Sequence, residues 1–264
     1  PPDTVSRYMA AIARAVLDHL PIGDKPPVYP GANGPLTQID IPAPSVGLDF
    51  LLNESQGYSP ASRLTILLLG PATDIASAIL SDSTIVDRIE VVAMGYNKWP
   101  LGTDEFNVHN DIDAWQVLMH SRTPLVVGDS TATGRDLKMT REKARTLFAD
   151  QGPSGTYLSN ILISWLDNNA RVAEIVAGDP DSWPVWDEVT LAYLMGLTTQ
   201  QTYPRPILKD DMTFDHTNSD KSGLEITWIT RIDSETLWTD FSAKLNTARQ
   251  GLGKLKIDNE TMRQ

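Results

Sequence analysis

The chain has no cysteine among its 264 residues. Disulfides and thiolate metal centres are thereby excluded, while the redox compartment stays open, because such an absence suits either side of a membrane. No apolar run approaches the length needed to span a bilayer. Positive charge is also scarce: 22 Lys and Arg stand against 34 Asp and Glu, a formal net charge of −12. That balance opposes phosphate backbones and anionic lipid, so nucleic acid polymers and membrane surfaces are poor partners. The start, Pro1-Pro2-Asp3-Thr4, has neither an initiating methionine nor a basic, apolar leader. A processed or truncated amino end is the simplest account, and it leaves a secreted or a cytoplasmic location equally open.

What is present reads as one globular domain over residues 1–264, with 41% hydrophobic and 21% charged residues. Val5, Met9, Ile12, Ala13, Val16, Leu17 and Leu20 recur at helical spacing, with Asp3 or Thr4 available as a cap. A second helix is expected from residue 46 to 52. The run at 64–69 is apolar on both faces, which suits a central parallel strand rather than an edge one. Further strands are expected at 89–94 and 124–127, with helices at 75–80 and 111–121 between them. This alternation predicts an open, mainly parallel, Rossmann-like α/β sheet flanked by helices. The remainder reads as more helical, at 141–148, 157–175, 187–197 and 234–245, with one strand at 223–232. Residues 210–223 read as a polar surface excursion, and Asp210, Asp211 and the tail 254–264 as solvated charge.

Ligands of open α/β sheets bind outside the carboxyl ends of the strands. Three segments lie there: 70–74, 94–107 and whatever follows Val127. The second holds Asp104-Glu105-Phe106-Asn107, a carboxylate and an amide two residues apart. A carboxylate accepts hydrogen bonds, an amide donates and accepts, and together they suit the neighbouring hydroxyls of a sugar. A solvated turn before a helix is the plainer account of the same residues. His19, His109, His120 and His216 show no ligand spacing.

Several segments, in order, resemble the calcium-dependent nucleoside hydrolase family. They are Val28-Tyr29-Pro30-Gly31-Ala32-Asn33-Gly34-Pro35-Leu36, Leu69-Gly70-Pro71-Ala72-Thr73-Asp74-Ile75-Ala76, Met94-Gly95, Glu105-Phe106-Asn107 with Asp111, and Trp186-Asp187-Glu188-Val189-Thr190-Leu191-Ala192. Residues 231–245 are similar to the family's closing strand and helix. The resemblance implies hydrolysis of the N-glycosidic bond of ribonucleosides, with Ca²⁺ as cofactor and a small-molecule nucleoside as substrate. It implies the Asp187 carboxylate and the Thr73 carbonyl as calcium ligands, hard oxygen donors of the kind Ca²⁺ prefers. Glu105 and Asn107 would hold ribose hydroxyls, Asn97 the 5′ end, and Met94 would pack beneath the sugar. Trp186 stands where many members carry a histidine that protonates the departing base. The resemblance there is to purine-preferring members, and an indole face offers a purine more stacking area than a pyrimidine. A core role at a helix start remains open for Trp186, and Trp99 is a second stacking candidate.

The family's amino-terminal Asp-x-Asp-x-x-x-Asp-Asp cluster, which supplies most calcium ligands and the general base, is absent from these 264 residues. The expectation is therefore the family fold without its first βαβ portion. An associated amino-terminal fragment or a partner chain would cover the resulting gap and complete the site, and relatives suggest a homo-oligomer. A catalytically inactive nucleoside- or sugar-binding homologue, or a hydrolase of another glycoside, stays open beside the enzyme.

Overall fold

The computed structural model describes residues 4–20, 22–103, 105–217, 219 and 223–261, with side chains at all of these except 4, 19 and 248–261. Asp3, Asp104 and the side chains of the charged tail lie outside that set. Contacts divide the chain into two compact units. Unit 1 comprises Pro1–Ala10, Tyr29–Leu137 and Trp186–Ile232; unit 2 comprises Ala11–Val28, Lys138–Val185 and Asp233–Gln264.

Unit 1 is built on five strands: β1 (Leu64–Leu68), β2 (Ile89–Met94), β3 (Leu125–Gly128), β6 (Thr198–Pro204) and β9 (Glu225–Ile232). Their order is β1-β2-β3-β9-β6. The first three pairings are parallel, with Leu64 opposite Ile89, Val91 opposite Leu125 and Val126 opposite Thr227. Only β6 runs antiparallel to its neighbour, with a bulge between Thr199 and Gln200. The expected mainly parallel α/β sheet is therefore present. Its two central apolar runs do what such runs should: Val91, Val92, Ala93 and Val127 are fully buried.

One expectation about the sheet is corrected. The strand at 64–69 was expected to be central, yet among the described residues β1 pairs only with β2 and ends the sheet. Its first four residues are consequently only half-buried. The excursion expected at 210–223 also contains structure: β7 (Ile207–Leu208) pairs with β8 (Phe214–Asp215), and Phe214 is buried. Phe214 packs at 4.7 Å from Tyr96 and 6.0 Å from Trp228, so an aromatic anchor hidden in a polar stretch pins the segment to the core.

Several helices of unit 1 begin where polar side chains take up their free N–H groups. Ser45 caps α2 (Val46–Ser55) through Leu48 N at 2.9 Å. Asp111 caps α5 (Ile112–His120) through Ala114 N at 3.0 Å, and Asp129 caps α6 (Ser130–Asp136) through Ala132 N at 2.7 Å. Between these come α3 (Thr73–Ser81) and the short α4 (Phe106–Asn110), and α9 (Glu188–Leu194) follows later. Arg205 is a buried staple. Its guanidinium donates to the carbonyls of Ser121, Thr123 and Glu225, and burial lowers its pKa to about 10.

The expected first helix is α1 (Thr4–His19), whose apolar residues Val5, Met9 and Ile12 lie exposed. Unit 2 contains α7 (Arg141–Phe148), α8 (Gly152–Ala177), α10 (Ser234–Thr261) and the antiparallel pair β4 (Lys138–Thr140) and β5 (Ser182–Pro184). Its core gathers Met139, Ala144 and Trp238 with Leu147, Phe148, Leu162, Val185 and Phe241. Among the described residues no helix is long and apolar enough to cross a membrane.

Candidate functional site

The carboxyl ends of β2 and β3 lie side by side, because Met94 is opposite Gly128 in the ladder and Gly95 N donates to Gly128 O at 3.1 Å. Glu105 follows β2 by eleven positions in the sequence. It is not a solvated turn residue. The side chain is 9% exposed, and its Oε2 accepts from Asn107 N at 2.9 Å and Val108 N at 3.2 Å, which makes it the cap of α4. Burial pushes its carboxyl above the usual range against the pull of the Asn107, Val108 and Tyr96 N–H groups, and the charge of Asp187 adds to the rise. Glu105 and Asp187, 82 positions apart by their numbers, therefore share one electrostatic neighbourhood.

Asn107 is buried, and its side-chain N–H donates to Met94 O at 3.0 Å while its own carbonyl accepts from Trp115 Nε1 at 3.0 Å. With the amide N–H so engaged, the side-chain oxygen is left to act as an acceptor for a hydroxyl. Met94 is 2% exposed at the end of β2 and is tied to Asn107 through its carbonyl. The cap and the amide–carbonyl bond orient both polar groups before any ligand arrives.

Asp187 precedes α9 without capping it, and the residue is exposed. The protein around its carboxyl nevertheless raises its pKa, and Glu188 beside it is raised by burial first and by Asp187 second. The helix sits tightly over the sheet. A Cβ built on Gly128 would stand 2.6 Å from Cγ1 and 3.0 Å from Cβ of Val189, so glycine is what lets α9 approach the end of β3. Trp186 is half-buried, and a Cβ on Gly134 of α6 would meet its ring at 3.5 and 3.6 Å.

The loop after β2 is constrained from both sides. Tyr96 has φ 64°, a left-handed backbone that costs a non-glycine residue on the order of 1–3 kcal/mol and persists only where the surroundings fix it. Its ring is fully buried among Trp115, Phe214 and Trp228. Asn97 is half-buried, and its carbonyl accepts from Thr131 N at 3.0 Å and Thr131 Oγ1 at 2.7 Å. Trp99, expected as a second stacking surface for a ligand, instead stacks on Tyr203 at 4.3 Å and meets His216 edge-on. It belongs to the protein's own aromatic cluster.

Thr73 is buried at the start of α3, and its hydroxyl donates to Asp111 Oδ2 at 2.5 Å; the same oxygen accepts from Leu36 N at 3.0 Å. Asp111 thus ties three segments together and caps α5 with its other oxygen. The structure brings Glu105, Asn107, Met94 and Asp187 into one region, sets Asn97 and Trp186 each against α6, and joins Thr73 to Asp111. As a calcium site these residues fall short. Ca²⁺ takes six to eight oxygen ligands, and among the described residues no three His, Asp or Glu side chains are grouped to hold a metal.

Asp129, Gly134 and Glu188 also shape this region, though none stands out in the sequence as a candidate. Asp129 was findable in part: Gly128-Asp129-Ser130-Thr131 after an apolar run is a cap signal at the carboxyl end of a strand. Gly134 carries no such signal, because its meaning depends on a ring that arrives 52 positions later.

A profile of the family described as inosine-uridine preferring nucleoside hydrolase matches residues 4–239. Among solved structures, a purine-preferring ribonucleoside hydrolase from Gardnerella vaginalis is similar at 20% identity and a TM-score of 0.64, over 87% of this chain and 78% of that one. A plant nucleoside hydrolase is similar at 17% identity and a TM-score of 0.61, over 77% and 68%. An inosine-uridine preferring nucleoside hydrolase from Bacillus anthracis follows at 18% and 0.58, over 78% and 67%. At such identities the likeness concerns the fold alone. No curated protein matches the chain.

Proposed function

The chain belongs to the inosine-uridine preferring nucleoside hydrolase family, and on that footing we propose that it hydrolyses the N-glycosidic bond of ribonucleosides, with a preference for purines. The observation that carries this reading is the pre-oriented pair Glu105 and Asn107, set at the carboxyl end of β2 within the electrostatic reach of Asp187. In the proposed roles, Glu105 and Asn107 engage neighbouring ribose hydroxyls, Asn97 takes the 5′ end, Met94 packs beneath the ring and Trp186 stacks on the base. An indole cannot act as a general acid, so the base would leave with a proton taken from solvent. Stacking contributes about 0.5–1.5 kcal/mol beyond burial, more for the larger base.

Calcium would supply an activated water when bound. Asp187 and the Thr73 carbonyl are its proposed ligands here. They do not make a site by themselves, and the proposal assigns the remaining ligands and the general base to an amino-terminal segment or a partner chain. The residues of this chain then bind and orient the sugar.

A second reading, a nucleoside- or sugar-binding homologue without catalysis, draws on the same shortage of grouped acids among the described residues. One assay separates the two. The full chain is incubated with inosine, adenosine or uridine, with Ca²⁺ or with EDTA, and free base is followed by chromatography. Calcium-dependent release, faster for the purines, is the expected result. Calorimetric binding of inosine that is indifferent to Ca²⁺, with no base released, would replace the first reading by the second.

A further inference from the structure

We propose that Asp129 is a positioning residue of this site: with Thr131 and Gly134 it makes α6 a common platform against which both Asn97 and Trp186 rest. The inference deepens the nucleoside reading and rests on it.

Asp129 follows β3 directly and is 5% exposed. Its two carboxylate oxygens gather three separate segments. Oδ1 accepts from Ala132 N at 2.7 Å and fixes the first turn of α6; Oδ2 accepts from Trp228 Nε1 at 2.8 Å on β9. The backbone N–H of Trp99, in the loop after β2, also reaches the carboxylate. The residues that follow complete the clamp. Ser130 N donates to Tyr96 O at 3.0 Å, and Thr131 donates to Asn97 O through its N–H and its hydroxyl. Apart from the Trp228 bond, which anchors the carboxylate to β9, these bonds end on the loop that presents Asn97 or on α6 itself.

One turn further along, α6 supports Trp186. Gly134 has no side chain, and the indole lies where a Cβ would be in ordinary van der Waals contact. A seven-residue helix thus sets the spacing between the residue proposed for the 5′ end and the one proposed for the base. A charged acceptor suits this role better than an amide, because all three of its partners are donors and an amide would turn an N–H toward one of them.

The test uses the full chain and three variants, Asp129→Asn, Thr131→Val and Thr131→Ser, with inosine as the probe. Amide hydrogen exchange reads the loop at 96–102, and calorimetry reads inosine affinity. Asp129→Asn and Thr131→Val should each speed exchange in that loop while leaving the amides of β2 unchanged. Asp129→Asn should weaken inosine binding by about ten-fold, the scale of one hydrogen bond to an ionised group. Thr131→Ser, which keeps the hydroxyl, should restore both readings. Thr131 is exposed, so its variants fold even where Asp129→Asn does not. Loop exchange or inosine affinity in Asp129→Asn or Thr131→Val equal to that of the unaltered chain overturns the proposal. Failure of the unaltered chain to bind inosine overturns the nucleoside reading instead, and the loop exchange still decides whether Asp129 and Thr131 hold the loop.

Discussion

Gly128→Ala is the most demanding perturbation of the site's geometry, because it adds one carbon where two elements meet. Gly128 is paired on both sides, with Met94 in β2 and Ile229 in β9, so the strand cannot retreat. The new Cβ would stand 2.6 Å from Cγ1 and 3.0 Å from Cβ of Val189, a fully buried residue of α9. Ordinary carbon contacts lie at about 3.5–4.0 Å, so α9 must shift by roughly 1 Å, since a rotamer change leaves the Val189 Cβ in place. Overpacking of this kind costs about 1–3 kcal/mol. For a chain of this size it lowers the melting temperature by roughly 2–12 °C. Because α9 begins directly after Asp187, the same shift moves that carboxylate relative to Glu105, and inosine affinity should fall with stability. Val189→Ala removes the two methyls nearest the new carbon, so that only the Cβ contact at 3.0 Å remains to be relieved, and alone it costs about 2 kcal/mol. The double variant should be no less stable than the worse single one, a coupling of at least about 1 kcal/mol. Urea denaturation followed by tryptophan fluorescence measures all four proteins. Additive losses, with inosine affinity unrecovered in the double variant, would refute the claim that Gly128 sets the approach of α9.

Trp186→Ala should weaken inosine more than uridine, by about five-fold in the ratio of their affinities; an equal loss for both assigns Trp186 to the core. Arg205→Leu strands the carbonyls of Ser121, Thr123 and Glu225 and should cost about 3 kcal/mol, read as a lower urea midpoint; an unchanged midpoint would show that water satisfies them. The pKa of Glu105 is raised above its ordinary 4.5, chiefly by burial. An acid raised in this way binds its proton more readily folded than unfolded, so its contribution is fully present below pH 4.5 and is lost as pH rises through the folded value. Glu105→Gln should therefore flatten the decline of the urea midpoint above pH 4.5, and a decline of undiminished slope would place its origin elsewhere.

The parts of the fold that a linear reading finds are those in which one segment decides its own structure. The runs at 89–94 and 124–127 bury both faces and could hardly be anything but central strands. The parts it loses depend on a neighbour. The β6 segment Thr198-Thr199-Gln200-Gln201-Thr202-Tyr203-Pro204 has almost no apolar face, and it is a strand because β9 offers it an edge. The β1 segment erred in the opposite direction: its composition asks for two neighbours, and the described sheet provides one. The site divides along the same line. Residue types at a strand end marked Glu105 and Asn107, and the family resemblance added Asp187, but spacing cannot tell a working carboxylate from one already engaged. Asp111 and Asp129 occupy equally suitable positions, yet both cap helices and accept further donors, from Leu36 and Thr73 in one case and from Trp228 and Trp99 in the other. Glu105 also caps a helix, but it does so within range of Asp187, which caps nothing and faces solvent. That pairing of an oriented acid with an unengaged one sets Glu105 apart from Asp111 and Asp129, and only the folded chain displays it.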